Sequence, residues 1–273
     1  MNQKLDFIGI GPQKTGSTWL HNMLIQHPEI CLPSISKEIE LFSLKYNADL
    51  SFYDECFGDC DAVKCRGEFT PAYFDDPVVI ERIHQHFPKV KLVVGIRNPI
   101  DKALSLFRHY YRHGKVKSKD FSKAVKEEPQ ILESGKYASY LKRWCERFPA
   151  NQIIIYDYDM IVSAPDTLLN QLCSFLEISE YDFADTDSVY NAASTPRSWL
   201  LAKIGRKAAE IARKHNLFSM IDFLKKRGLH HLFYSGGSEP LQLRADDKTF
   251  LREYYSQEQE QLDEMNIRKI YFP

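Results

Sequence analysis

The sequence predicts a three-layer α/β fold, in which a central parallel sheet is flanked by helices. Three continuous apolar runs, LDFIGIG (5–11), VKLVVGIR (90–97) and QIIIYDYD (152–159), lack the polar alternation of a sheet with one face in water. Segments with apolar residues at helical spacing separate them, and this strand–helix alternation implies a sheet covered on both faces. Right-handed crossovers then place ligands at the carboxyl ends of the strands.

Each element follows from local pattern. Helix 17–27 (STWLHNMLIQH) gathers Trp19, Leu20, Met23 and Leu24 on one face. Pro28 to Pro33 reads as a turn with a short apolar segment, and 43–67 reads as polar and irregular. GEFTPAYF follows, then a helix over 77–86. Asn98-Pro99 ends the second strand and opens a helix running to Gly114. Further helices are predicted over 137–147, in APDTLLNQLCSFLEI, and near the end in DKTFLREYYSQEQEQLDEM. The segment 201–231 is rich in lysine and arginine on predicted helices. Without repeats or low-complexity linkers, the expectation is one domain over 1–273, with a core of about 5–200 and a helical extension of about 201–273.

Composition narrows the function classes. The 273 residues are 44% hydrophobic and 27% charged, with a net charge of -1. Those values suit a globular chain and give no global reason to expect a nucleic-acid partner. No apolar run is long enough to span a bilayer, and no secretory leader pattern opens the chain. Of six cysteines, Cys56, Cys60 and Cys65 crowd one segment, but not as the paired C-x-x-C of a zinc ribbon. Reduced thiols and a cytoplasmic location are therefore expected. Nothing in the sequence sets an oligomeric state.

The chemistry concentrates at two strand ends. In FIGIGPQKTGSTWL, the first strand passes through Gly11, Lys14 and Gly16 into a helix beginning with Ser17 and Thr18. Uncapped amides at a helix start, a lysine and hydroxyl groups suit a phosphate-like anion. The stretch has neither the Gly-Lys-Ser/Thr of a Walker loop nor the third glycine of a dinucleotide fingerprint. The second strand ends at Arg97, followed after Pro99 by Ser105 on the next helix. A guanidinium fork pairs well with a dianionic phosphate.

Together these motifs resemble those of sulfotransferases that use 3′-phosphoadenosine-5′-phosphosulfate (PAPS), a family with a P-loop-NTPase-like fold. PQKTGSTWL resembles their 5′-phosphosulfate loop, which implies that Lys14, Thr15, Gly16, Ser17 and Thr18 hold the 5′-phosphate and the sulfuryl group. RNPIDKALS resembles their 3′-phosphate motif, which implies that Arg97 and Ser105 bind the 3′-phosphate. SKEIELFS resembles a segment whose glutamate is the base in glycan-modifying members, and this role carries over to Glu38, beside Lys37. Lys14 would share the catalytic work by stabilising charge on the transferring group.

GEFTPAYF resembles a further segment of the family, and so does SGKYASYLKRWCERFP. Two departures stand out: a frequent histidine is Glu40 here, and a lysine is Phe69. The late stretch YNAASTPRS resembles a loop that closes over the cofactor, which makes Arg197 a further cofactor-binding candidate. The resemblance implies in-line transfer from PAPS to a hydroxyl or amine of a carbohydrate or small molecule. Its product is 3′-phosphoadenosine-5′-phosphate (PAP), and no metal is required. Glu40, His109 and His113 are rival bases to Glu38. Two other function classes stay open at this point. One is a P-loop small-molecule kinase, with YDYD (156–159) as its acidic strand end; the other is a catalytically silent nucleotide-binding protein.

Overall fold

The computed structural model describes residues 4–44, 46, 50–58, 60, 63–188, 207, 241–265 and 268–270. Arg197, the late loop around it and the basic segment 201–231 lie outside the described residues, apart from position 207. The chain falls into two compact units, one drawn from 1–97, 136–190 and 257–273, the other from 98–135 and 191–256.

The first unit carries the predicted parallel sheet. Its strands are β1 (Phe7–Gly11), β2 (Ile30–Cys31), β3 (Cys65–Phe69), β4 (Lys91–Ile96), β5 (Ile153–Asp157) and β6 (Arg268–Ile270). They form a six-stranded sheet in the order β2-β3-β1-β4-β5-β6, and every pairing is parallel. Neighbouring residues on a strand feed different cores. Ile8, Ile10, Leu92, Val94, Ile153 and Ile155 pack on one side, and Phe7, Val93, Ile154 and Tyr156 on the other. Burial on both faces explains why these strands read as unbroken apolar runs.

Three strands escaped the sequence pattern. β2 is only two residues long. β3 is CRGEF, where Arg66, Gly67 and Glu68 interrupt any apolar run although Glu68 is fully buried. β6 is three residues long and is preceded by a polar helix.

Helices α1 (Ser17–Leu24), α2 (Leu50–Phe57), α3 (Pro77–His86), α7 (Tyr137–Cys145), α8 (Met160–Ser163) and α9 (Pro165–Leu176) also belong to the first unit. α2 lies inside the stretch expected to be irregular. Asp76 caps α3 by accepting from the Val78 amide, with Pro77 at the first turn, as that helix's start signal predicts.

The second unit includes α4 (Pro99–Arg112), α5 (Phe121–Glu127) and α6 (Gln130–Glu133). Its core joins Ala103, Leu106, Phe107 and Tyr110 of α4 to Phe121, Ile131, Leu251 and Tyr255. The last two stand on α10 (Ala245–Glu264), whose residues belong to the second unit up to Ser256 and to the first from Gln257.

The expectation of reduced thiols is corrected at one pair. Cys31, at the end of β2, is disulfide-bonded to Cys60, while Cys56, Cys65, Cys145 and Cys173 are free. Sequence spacing gave no signal for this bond, because the 29-residue separation closes only when β2 and the segment after α2 come together.

Candidate active site

The sheet order reverses at its centre. After β1 the chain moves out to β2 and returns through β3, then crosses β1 to reach β4 and β5. β1 and β4 are neighbours, with Gly11 in register with Val94, so the carboxyl ends of the two motif-bearing strands lie side by side. This is the switch point at which open α/β sheets bind ligands. A register shift between Gly9 and Gly11 marks where β1 bends into the loop.

The loop is held from within and from behind. Thr15 is fully buried, and its hydroxyl donates to the Pro12 carbonyl at 2.7 Å. What Thr15 can offer an anion is therefore its main-chain amide. Its own carbonyl accepts from the Tyr156 hydroxyl of β5 at 2.9 Å. Gly95 of β4 makes room for both partners: a Cβ there would lie 2.6 Å from the Tyr156 hydroxyl and 2.7 Å from the Thr15 Oγ1. Gly16 caps α1 in the left-handed region at φ 92°, and no side chain caps the helix start. A Cβ on Gly16 would meet the tip of the Ile161 side chain, 2.2 Å from its Cδ1, and the left-handed φ is what favours glycine there. Lys14 also has positive φ, at 72°. The loop thus leaves α1's first amides without a side-chain cap, beside a lysine and two hydroxyl residues.

Lys37 reaches this loop from the segment after β2. Its Nζ donates to Ser17 Oγ at 3.0 Å and to Thr18 Oγ1 at 3.2 Å, and it lies 3.6 Å from Glu38 Oε1. Burial pulls the Lys37 pKa down, while the adjacent Glu38 favours its charged form. The Glu38 side chain is 40% exposed, open enough to meet a substrate proton. Glu40, its rival, has φ 56° and a solvent-shielded Oε2. Burial is also the main cause that holds His21 of α1 down at about 4, so it stays neutral.

Below this segment lies Glu68 of β3, fully buried, with Oε2 accepting from the Thr70 hydroxyl at 2.9 Å. Burial raises its pKa to about 7, partly offset by the Thr70 hydroxyl and by the nearby polar groups of Tyr53 and Ile39. The Tyr73 hydroxyl accepts from the Phe42 amide at 3.2 Å, which ties the same segment down. The GEFTPAYF stretch therefore lies under the segment carrying Glu38.

Arg97 follows β4 directly. Its guanidinium carbon sits 4.2 Å from the centroid of the Tyr158 ring, and its carbonyl accepts from the Tyr137 hydroxyl at 2.9 Å. Asn98 then caps α4, accepting from the amides of Ile100 and Asp101. Ser105 stands half-buried on α4, in the second unit, where the rings of His109 and His113 are 4.4 Å apart.

The structure thus brings together Lys14, Thr15, Gly16, Ser17 and Thr18, joins Ser17 and Thr18 to Lys37 beside Glu38, and sets Arg97 on the neighbouring strand. Sequence reasoning left Lys37 without a role and passed over Tyr137, Tyr156 and Tyr158. Tyr156 and Tyr158 stand in and just after the β5 run, and Tyr137 opens α7.

The sulfotransferase domain model matches residues 4–198, more than half of the chain. The chain belongs to the sulfotransferase family. The kinase reading of the loop is thereby set aside. This sulfotransferase is 28% identical over 194 residues to the bifunctional heparan sulfate N-deacetylase/N-sulfotransferase 1 of Caenorhabditis elegans, with 65% of the chain and 22% of that protein covered. It is also 28% identical over 195 residues to the bifunctional heparan sulfate N-deacetylase/N-sulfotransferase 2 of Homo sapiens, covering 64% and 22% respectively. The matched region thus spans about a fifth of the length of these relatives. Among solved structures, a sulfotransferase from Alicyclobacillus acidocaldarius superposes with a TM-score of 0.61 at 22% identity, covering 80% of this chain and 96% of that one. That agreement bears out the expected three-layer α/β fold.

Proposed function

We propose that this sulfotransferase moves the sulfuryl group of PAPS to an amine or hydroxyl of a carbohydrate or small-molecule acceptor. The observation that carries the reading is the adjacency of β1 and β4, which sets the Lys14–Thr18 loop and Arg97 at neighbouring strand ends. The residues present suit the cofactor: the glycine cradle and uncapped α1 amides fit a 5′-phosphosulfate, and a guanidinium fits a 3′-phosphate. Lys14, Gly16, Ser17, Thr18 and the Thr15 amide would hold the first group. Arg97 and Ser105 would hold the second, with Arg197 as a further ligand from the late loop.

Bound PAPS supplies an activated sulfuryl group with a phosphate as its leaving partner. Lys14 and the loop amides offset charge at that phosphate without reorganising. Glu38, beside the loop and open to solvent, accepts the acceptor's proton. The names of the two curated relatives make a carbohydrate amine the first acceptor to try.

PAP should raise the melting temperature far more than ATP with magnesium; equal or reversed shifts would overturn the reading. A screen with radiolabelled PAPS, starting from oligosaccharides bearing unsubstituted glucosamine, would identify the acceptor. Treating 1–273 as a single domain belongs to the same proposal, and so does a cytoplasmic location. Against that location stands the Cys31–Cys60 bond, since disulfides persist in oxidising compartments. Thiol counting on protein taken from its own cells decides it.

A further inference from the structure

We propose that Lys37 is a catalytic residue, a second cation that contacts the sulfuryl oxygens while Lys14 serves the phosphate side. The inference rests on the sulfotransferase reading above. Lys37 belongs to the same segment as Glu38, the group placed to take the acceptor's proton, yet its ammonium bonds to hydroxyls of the phosphate loop. A group passing from the loop to an acceptor deprotonated at Glu38 must cross the space that Lys37 bridges.

The hydrogen bonding gives the ammonium a specific job. An ammonium has three protons, and two are engaged by Ser17 and Thr18 as acceptors. Those bonds occupy hydroxyl lone pairs and leave each hydroxyl's own proton to donate to an anion in the loop. The third proton has Glu38 Oε1 only at 3.6 Å, beyond a hydrogen bond, and can turn to a sulfuryl oxygen. Two described residues on the neighbouring β3 and α1 add no charge of their own. Phe69, which ends β3, is apolar and buried, and burial keeps His21 neutral.

The step balances without another reactant. The acceptor's oxygen or nitrogen bonds to sulfur as the bond from sulfur to the 5′-phosphate oxygen breaks. The electron pair of the broken bond stays on that phosphate, the acceptor's proton passes to Glu38, and Lys37 remains protonated throughout.

The test needs no identified acceptor. Wild type, Lys37→Met and Lys37→Arg are compared by PAP affinity, PAPS affinity and the slow release of sulfate from PAPS with water as acceptor. PAP lacks the sulfuryl group, so Lys37→Met should keep PAP affinity within about threefold and weaken PAPS relative to PAP. Sulfate release should fall about 10²- to 10³-fold, the usual loss for one preorganised donor, and Lys37→Arg should recover part of it. Sulfate release within about threefold of wild type would overturn the proposal. So would a loss of PAP affinity as large as the loss of turnover, which would make Lys37 a tie of the loop. If wild type binds neither nucleotide, the sulfotransferase reading itself fails, and this role fails with it.

Discussion

The guanidinium of Arg97 rests on the face of Tyr158, 4.2 Å from the ring centroid, and Tyr158 also borders the position a Cβ on Gly16 would occupy, at 3.3 Å. One tyrosine after β5 therefore abuts both halves of the proposed cofactor site. A cation held over an aromatic face gains about 0.5–2 kcal/mol, more as water is excluded. Tyr158→Ala should lower the preference for PAP over AMP by about two- to thirtyfold, because only PAP presents a 3′-phosphate to Arg97. Tyr158→Phe keeps the π-face and should keep the preference. Competition binding measures both, and an unchanged ratio in the alanine variant would remove Tyr158 from this role.

Gly95 carries a second prediction. The side chain that alanine adds would meet the Tyr156 hydroxyl and the Thr15 Oγ1 at 2.6 and 2.7 Å. Both groups brace the loop through the bonds to Thr15 O and Pro12 O. Crowding of this kind costs about 1–3 kcal/mol. Gly95→Ala should lower the melting temperature and weaken PAP binding together, although residue 95 is buried within β4 rather than in the loop itself. Stability loss with full PAP affinity would show that the loop does not depend on this brace.

Glu68 gives a pH dependence with a defined sign. Its pKa is about 7 in the fold against an ordinary value of 4.5, with burial as the main cause. Between those values the native protein holds a proton that the unfolded chain has released, so the stabilising effect is full below pH 4.5 and is lost as pH rises through 7. At 1.36 kcal/mol for each unit, the swing is about 3 kcal/mol. Glu68→Gln should remove it. Denaturation midpoints at pH 5 and pH 8 should differ more for wild type than for the variant; equal differences would contradict the assignment.

The Cys31–Cys60 bond closes a loop of 29 residues in sequence separation. Chain-entropy arguments give such a cross-link about 3–4 kcal/mol. Cys60→Ser, or reductant on wild type, should lower the melting temperature by comparable amounts. Reductant should leave the variant unchanged. A wild-type melting curve indifferent to reductant would show that the bond contributes nothing to stability.

Much of this molecule was legible in its sequence because its signals are local. Strands β1, β4 and β5 declare themselves as apolar runs, and the Pro99 helix start fixes where Arg97 must stand. What stayed hidden depends on distant partners. Glu68 breaks the apolar pattern of β3 and yet is fully buried; its Thr70 partner is local, but the groups around it from Ile39 and Tyr53 are remote in sequence. Lys37 looked like a neighbour of Glu38 until the fold carried it 20 residues back to Ser17. Thr15 matched its motif as a hydroxyl, yet the fold spends that hydroxyl inside the loop.

The path of the chain through the sheet separates two tasks. Lys14, Arg97 and Tyr158 follow β1, β4 and β5, whereas Lys37, Glu38 and Glu68 all lie on the single excursion that runs from β2 to β3. Under the proposed roles, rewriting that one contiguous stretch should change the acceptor preference and spare the nucleotide grip. The Lys37 bridge to Ser17 and Thr18 is the seam any such graft would have to preserve.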